Sequence, residues 1–122
     1  MEDVGHVEGP NVRHTVDEVE RLLRRLALND EESVEFVLTG YGDSEALRPK
    51  VDLLVRLGAL LALGAATTSI RSTVDGARAA GATESEIVGV LVAVAPAVGL
   101  ARVVSTAPKL AAAIGYDLEG ED

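Results

Sequence analysis

Apolar residues recur along most of the chain at intervals of three and four positions, the spacing that forms one face of an α-helix. The first such stripe consists of Val16, Val19, Leu22, Leu23 and Leu26. No segment alternates apolar and polar residues with a period of two, so the pattern predicts no strands. The sequence therefore predicts an all-α protein with six helices.

Start and stop signals place the ends of these helices. Thr15 and Glu18 have the spacing of a capping box, and so do Thr83 and Glu86, while Asp30 can cap a short second helix. Proline favours the first turn of a helix, and glycine commonly follows its last turn. With these signals, the first helix follows Thr15, and the second follows Asp30 and ends at Gly40 and Gly42. The other four helices are predicted to span about residues 49–64, 67–80, 84–95 and 99–114, with Pro49 opening the third and Pro96 breaking or kinking the fifth.

The domain organisation follows from these boundaries. Residues 1–13 contain two glycines and a proline without periodicity, which predicts a flexible N-terminal arm. Residues 14–118 are predicted to form the helical domain, and residues 119–122 an acidic tail. A chain of 122 residues accommodates one such domain.

Composition excludes several classes of function. The chain has no cysteine, which excludes disulfides, zinc–thiolate sites, iron–sulfur clusters and cysteine nucleophiles. A net charge of −9 and only three aromatic residues argue against binding to nucleic acid. The longest uncharged run, residues 87–101, is too short to cross a bilayer. No apolar leader follows the acidic N-terminus, so we expect a cytoplasmic location.

The central helices are rich in small apolar residues, and this predicts self-association. Alanine and glycine bury little area each, so a core built from them is thin for a monomer of this size. We therefore expect residues 87–101 and the apolar side of the third helix to be buried between subunits of a homo-oligomer.

From residue 45 to about residue 118, the chain resembles the carboxymuconolactone decarboxylase / alkylhydroperoxidase D-like family. The resemblance rests on several short segments in the same order and spacing: LRPK (47–50), LG (63–64), IRSTV (70–74), AAGAT (79–83), EI (86–87), VGVL (88–91), APAVG (95–99) and AIGYD (113–117). It implies an all-α subunit that assembles into trimers or hexamers.

Redox members of this family use a glutamate, a CxxC pair and a histidine. Aligned on residues 70–72, the cysteine positions fall on Ala66 and Ser69, the histidine position on Thr73, and the glutamate position on about Leu54. The resemblance thus implies the family fold without its redox centre. Because a peroxidase of this kind needs a thiolate, we predict that the chain is not a thiol peroxidase.

Hydroxyl side chains cluster at the predicted start of the fourth helix. Thr68 and Ser69 lie in its first turn and Thr73 one turn further on, where they could hold a substrate carboxylate beside exposed N–H groups. We take Ser69 and Thr73 as catalytic candidates and Thr68 as a substrate-binding candidate. The alternative is that Thr67 or Thr68 caps the helix.

Arginines interrupt the apolar helices, and two of them could recognise an organic acid: Arg71 and Arg102. Arg71 has Asp75 four residues later, so the alternative is an ordinary helical ion pair. Arg102 has no carboxylate within a helical turn. His14 is a third catalytic candidate, although a lone histidine beside a helix start more often makes a local hydrogen bond.

Two classes of function stay open at this point. The chain could be a cofactor-independent enzyme, such as a lyase, that acts on a small carboxylated or lactone substrate, as the family name suggests. It could instead be a non-catalytic oligomeric or ligand-binding module. Neither histidine has a second ligand at metal spacing, and we predict no metal and no cofactor.

Overall fold

The computed structural model describes residues 9–39 and 47–116, with side chains from residue 16 onward. The chain divides into two compact units, Met1–Ser44 and Glu45–Asp122. Within the described residues there are six α-helices and no strands. The all-α prediction is confirmed.

The first unit contains helices α1 (Gly9–Ala27) and α2 (Glu31–Leu38). The connecting turn includes Asn29 in the left-handed region, with a φ of 60°. Asp30 then caps α2 as predicted, because its carboxylate accepts a hydrogen bond of 3.0 Å from the N–H of Ser33. Hydrogen bonds from Ser33 hold the pKa of Asp30 below its ordinary value.

The predicted start of the first helix at Thr15 is wrong, because α1 already begins at Gly9. Pro10 lies in its first turn, where the absent N–H would have no helical partner in any case. Of the flexible arm predicted for residues 1–13, residues 1–8 lie outside the described part of the chain. Residues 9–13 belong to α1. The tail predicted for residues 119–122 lies wholly outside them.

The second unit is a bundle of four helices, α3 (Pro49–Leu63), α4 (Thr67–Ala79), α5 (Glu84–Val98) and α6 (Leu100–Ile114). Helix α3 packs against α4 and α5, and α6 packs against the same two helices. The order around the bundle is therefore α3, α4, α6, α5. Each helix directs one apolar side toward the common axis.

The core of this bundle is small but complete. Its largest fully buried apolar side chains are Leu57 and Leu61 of α3, Ile70 and Val74 of α4, and Ile87 of α5. A leucine, an alanine and an isoleucine of α6 belong to the same buried cluster. Leucine and isoleucine are six of its ten members, so the core is not built mainly from the small residues that are frequent in the central helices.

Glycine allows α3 and α5 to approach closely. A Cβ atom on Gly58 would lie 3.3 Å from a methyl group of Val94 and 3.4 Å from one of Val90. That spacing is tighter than ordinary van der Waals contact, so a larger residue at position 58 would push the two helices apart. Val94 therefore packs inside the bundle, against α3.

The predicted end of the fifth helix at Ala95 is wrong, and Pro96 does not break the helix. Helix α5 continues through Pro96 to Val98, and Gly99, with a φ of 89°, follows it. Proline removes one helical hydrogen bond but does not prevent the next residues from staying helical. Pro96 is exposed and lies in the last turn, so the cost is confined to one carbonyl at the helix end.

The capping box that opens α5 is confirmed. The Thr83 hydroxyl accepts from the N–H of Glu86 at 3.0 Å, and the Glu86 carboxylate accepts from the N–H of Thr83 at 3.0 Å. Glu86 also pairs with Lys50 of α3 at 3.1 Å. The Thr83 N–H and the Lys50 ammonium hold the pKa of Glu86 below its ordinary value.

Across residues 9–39 and 47–116, none of the helices combines the length and the apolar character that a membrane crossing requires.

Candidate functional site

The turn between α3 and α4 brings the end of one helix next to the start of another. Gly64 ends α3 in the left-handed conformation, with a φ of 69°, as the sequence predicted. Two residues later Ala66 is the N-cap of α4, and its side chain makes no capping hydrogen bond. The alternative that Thr67 or Thr68 caps this helix is therefore wrong. Neither threonine is the N-cap at the start of α4.

The hydroxyl candidates lie on the first two turns of α4. Thr68 and Ser69 are exposed, and Thr73 is half-buried. Ser69 and Thr73 are four residues apart, so they share one side of the helix. The Ser69 N–H donates to the carbonyl of Ala66 at 3.1 Å. The N–H groups of Thr67 and Thr68 have no helical acceptor, which leaves this helix end attractive to an anion.

Arg102 of α6 lies directly against Gly64. A Cβ atom at that glycine would overlap the Arg102 guanidinium, so the flexible end of the arginine would have to shift to admit one. The guanidinium has no hydrogen-bond or ion-pair acceptor within the described part of the chain, and the residue is exposed. Its backbone is held firmly, because the Arg102 carbonyl accepts from the hydroxyls of Ser105 at 3.1 Å and Thr106 at 2.8 Å.

A second cation reaches the same turn from α6. The ammonium group of Lys109 donates to the carbonyl oxygens of Gly64 at 3.2 Å and Ala65 at 3.1 Å. The last carbonyls of a helix lack helical donors and carry its partial negative charge, so a cation there is favourable. Lys109 thus fixes the turn on which α4 begins. Sequence reasoning missed this residue, although it is the one lysine of α6.

Arg71 does not form the ion pair with Asp75 that the sequence spacing suggested. Its guanidinium donates instead to the carbonyl of Ala112 in α6, at 3.1 Å. The guanidinium of Arg78, two turns further along α4, donates to the carbonyl of Ile114 at 3.1 Å. The two arginines therefore bind the last turn of α6, whose carbonyls have no helical donors. By contrast, Arg56 of α3 does pair with Asp52, four residues before it, at 3.2 Å.

Arg78 is also part of a small network around Glu84. It pairs with the Glu84 carboxylate at 3.3 Å, and the Tyr116 hydroxyl donates to the same carboxylate at 2.8 Å. This hydrogen bond to Glu84 raises the pKa of Tyr116 above its ordinary value. The network connects Tyr116, two residues after the end of α6, to the first residue of α5.

Three of the four positions that hold the redox centre in other family members lie at or near the start of α4. Ala66 and Ser69 occupy the two cysteine positions, on either side of the start of α4, and Thr73 occupies the histidine position one turn later. Leu54, at the glutamate position, packs against the bundle core. No group at these four positions can form a thiolate or relay a proton as a carboxylate or imidazole would.

The remaining candidates lie elsewhere. His14 belongs to α1 in the first unit, and its side chain lies outside the described residues. An open cavity of about 690 Å³ lies between α1 and α2, lined on the α1 side by Arg21, Leu22 and Arg25 and on the α2 side by Phe36 among others. No group of three or more histidines or carboxylates in the described residues could hold a metal ion.

Comparison with known proteins identifies the family. The sequence model for the carboxymuconolactone decarboxylase family matches residues 34–113. This segment is more than half of the chain and includes the turn at Gly64, all of α4 and α5, and most of α6. No curated protein and no solved structure matched the chain. On the family match and the cysteine-free helical bundle that carries it, the chain belongs to the carboxymuconolactone decarboxylase family.

Proposed function

We propose that the chain binds a small organic carboxylate at the start of α4 and acts on it without a cofactor. The observation that carries this proposal is the exposed guanidinium of Arg102, which lies against Gly64 and has no acceptor within the described residues. A carboxylate or carboxylated lactone is the class of substrate that such a group recognises best, because guanidinium can donate two parallel hydrogen bonds to it.

Two further features of the same turn support an anion there. The N–H groups of Thr67 and Thr68 have no helical acceptors, and the dipole of the helix favours negative charge at this end. The hydroxyls of Ser69 and Thr73 lie on one side of the helix and can donate to a carboxylate or lactone oxygen. In this proposal Arg102 is the principal cation, Thr68 assists it, and Ser69 and Thr73 are the catalytic candidates.

Arg71 has a secondary place in the proposed site. One of its amino groups is engaged with the carbonyl of Ala112, so its first role is to hold α4 on α6. Its exposure leaves its other N–H groups accessible to a ligand. The proposed site does not include His14, which lies in the other unit.

Isothermal titration calorimetry tests the binding step. The probes are adipate and a γ-lactone that carries one carboxylate, titrated into wild type and into Arg102→Gln. A charge-assisted hydrogen bond contributes about 1.5–3 kcal/mol, so the variant should bind about tenfold more weakly or worse. The matched control is Arg48→Gln, which removes an exposed arginine at the other end of α3. Equal affinities in the two variants, or no binding to wild type, would defeat the proposal.

Product analysis tests the catalytic step separately. Wild type, Ser69→Ala and Thr73→Val would be incubated with the carboxylated lactone, and the mixture analysed by mass spectrometry for loss of carbon dioxide. We expect turnover in wild type and a loss of rate, with little change in affinity, in at least one variant. Binding without turnover in wild type would favour the second candidate function.

That second candidate is a non-catalytic oligomeric module, and uncovered apolar surface favours it. Val92 is 67% exposed, and Leu100 and Val104, on the next helix, are 78% and 61% exposed. Large apolar side chains left exposed on two neighbouring helices can form an interaction site. A homo-trimer or hexamer, expected from the family resemblance, would cover it. The cytoplasmic location expected from the sequence stays a prediction under either function.

A further inference from the structure

The turn between α3 and α4 uses its own N–H groups to end α3. The N–H of Gly64 donates to the carbonyl of Leu61 at 3.2 Å, and the N–H of Ala65 donates to the carbonyl of Leu60 at 3.0 Å. These two hydrogen bonds form a Schellman motif, which needs the left-handed backbone that Gly64 adopts. The motif leaves the carbonyl groups of Gly64 and Ala65 for donors from elsewhere in the fold.

Lys109 of α6 is that donor for both carbonyls. Its ammonium group lies 3.2 Å from the Gly64 oxygen and 3.1 Å from the Ala65 oxygen, and both hydrogen bonds are partly buried. No other group in the described part of the chain donates to either oxygen. The next residue, Leu110, belongs to the bundle core, so the ammonium extends from a helix whose position is fixed by packing.

The Ala65 carbonyl belongs to the same peptide unit as the N–H of Ala66. In a planar trans peptide the two groups point in opposite directions, so a cation that holds the carbonyl also sets the direction of the N–H. This N–H donates no hydrogen bond within the described residues, and neither do those of Thr67 and Thr68. Lys109 therefore orients the first of three consecutive free N–H groups.

The same side of α6 also carries Arg102. Arg102, Thr106 and Lys109 are spaced by four and three residues, so they share one face of the helix. Thr106 is fully buried and donates to the Arg102 carbonyl at 2.8 Å. The Arg102 guanidinium lies against Gly64, whose carbonyl Lys109 holds. One packed helix face thus sets the position of the guanidinium and the direction of the free N–H groups.

We propose that Lys109 is a positioning residue of the carboxylate site, an inference that rests on the function proposed above. The lysine acts through the peptide unit between Ala65 and Ala66, not by contact with the ligand. It keeps the Ala66 N–H available as a third backbone donor beside those of Thr67 and Thr68. Donors that are already oriented need not be ordered by the ligand, so loss of the lysine should weaken binding although Arg102 is retained.

Calorimetric titration with adipate into Lys109→Met tests this role. Ordering the backbone of one residue on binding should weaken the affinity about fivefold to tenfold relative to wild type. The matched control is Arg78→Met, which also removes a cation from a carbonyl at a helix end, that of Ile114 at 3.1 Å. Arg78 lies at the opposite end of α4, so this variant should bind adipate as wild type does. Circular dichroism confirms that each variant is folded at the temperature of the titration.

Amide resonances follow the N–H groups themselves. In wild type, adipate should shift the amide signals of residues 66–68 more than those of residues 84–85, at the start of α5. In Lys109→Met the response of Ala66 should disappear, while those of Thr67 and Thr68 persist. If all three amides respond as in wild type, the lysine acts only through its charge and the positioning role is overturned.

The remaining outcomes separate this inference from the proposed function. If wild type binds no adipate, both fail together. If Arg102→Gln weakens binding but Lys109→Met binds as wild type, the site stands and the positioning role alone is wrong. An equal loss of affinity in Arg78→Met would attribute the effect to general stability and would also overturn it. So would an Ala66 amide that does not respond to adipate in wild type.

Discussion

Replacing Lys109 with methionine would remove the cation that holds the turn between α3 and α4. The Lys109 ammonium donates to the carbonyls of Gly64 at 3.2 Å and Ala65 at 3.1 Å. Methionine keeps most of the length and the apolar stem of lysine but has no donor. Both carbonyls then lose their partner at the end of a helix, where its partial negative charge is concentrated.

The expected magnitude follows from the burial of this contact. A hydrogen bond to a charged group contributes about 1.5–3 kcal/mol, and a lost partner leaves a desolvated carbonyl behind. Both bonds of Lys109 are partly buried, so the lower end of that range applies and the total loss is about 2–3 kcal/mol. For a domain of about this size, such a loss lowers Tm by roughly 10 °C.

The matched control is Lys50→Met, which removes a lysine of the same bundle. Lys50 pairs with Glu86 at 3.1 Å, with exposed fractions of 37% and 41% for the two side chains. Exposed ion pairs contribute about 0–1 kcal/mol, so this variant should lose much less stability. Urea unfolding followed by circular dichroism at pH 7 measures both variants. Equal losses, or a loss below about 1 kcal/mol for Lys109→Met, would refute the reasoning.

Three other predictions concern chemistry, pH and assembly. A dithiol-dependent peroxidase assay should give only the rate of a heat-inactivated control, because the chain has no cysteine; turnover above that rate would contradict the absence of thiol chemistry. The Thr83 N–H and the Lys50 ammonium hold the pKa of Glu86 below its ordinary value of 4.5. Folding therefore favours the ionised carboxylate. This stabilisation is present above pH 4.5 and is lost as the pH falls through the lower pKa of the folded state. Glu86→Gln should therefore be less stable than wild type in urea unfolding at pH 7, and the gap should narrow as the pH falls through the lowered pKa of the folded state. A gap that does not change with pH would contradict this. Val92 is 67% exposed whereas Val94 packs inside the bundle, so Val92→Asp should dissociate the oligomer in light scattering while keeping its helical signal, and Val94→Asp should unfold the chain. A wild type that scatters as a monomer of 12.7 kDa would show that no oligomer forms.

Several helix ends could be predicted from the sequence because their causes are local. Asp30 caps α2 by binding an N–H three residues away, and Thr83 and Glu86 satisfy each other at the start of α5. Pro49 and Gly64 mark the ends of α3 through their own backbone preferences. The predicted start of α1 and the predicted end of α5 are wrong because proline does not always mark a helix boundary. It permits a helix start, as at Pro10, and a continuing last turn, as at Pro96, when its neighbours allow it.

The candidate site was predictable only in part. The clustering of Thr68, Ser69 and Thr73 at the start of α4 follows from helical spacing alone. That Arg102 lies against Gly64 does not, because the two residues are far apart in sequence and meet only when α6 packs beside α3 and α4. The spacing of Arg71 and Asp75 even suggested the wrong partner, since the carbonyl of Ala112 is presented to Arg71 by tertiary packing.

The sequence by itself determined the helical class, most helix boundaries, the loss of thiol chemistry and the family, since these depend on residue types and on neighbours within about one helical turn. Only the tertiary structure decided which cation meets which helix end, and which side of α3 faces the core. Those outcomes depend on the order of helices around the bundle and on the close approach that glycine permits between α3 and α5. The physical reason is that a side chain such as Lys109 can bind whichever free carbonyls the packing brings within its reach.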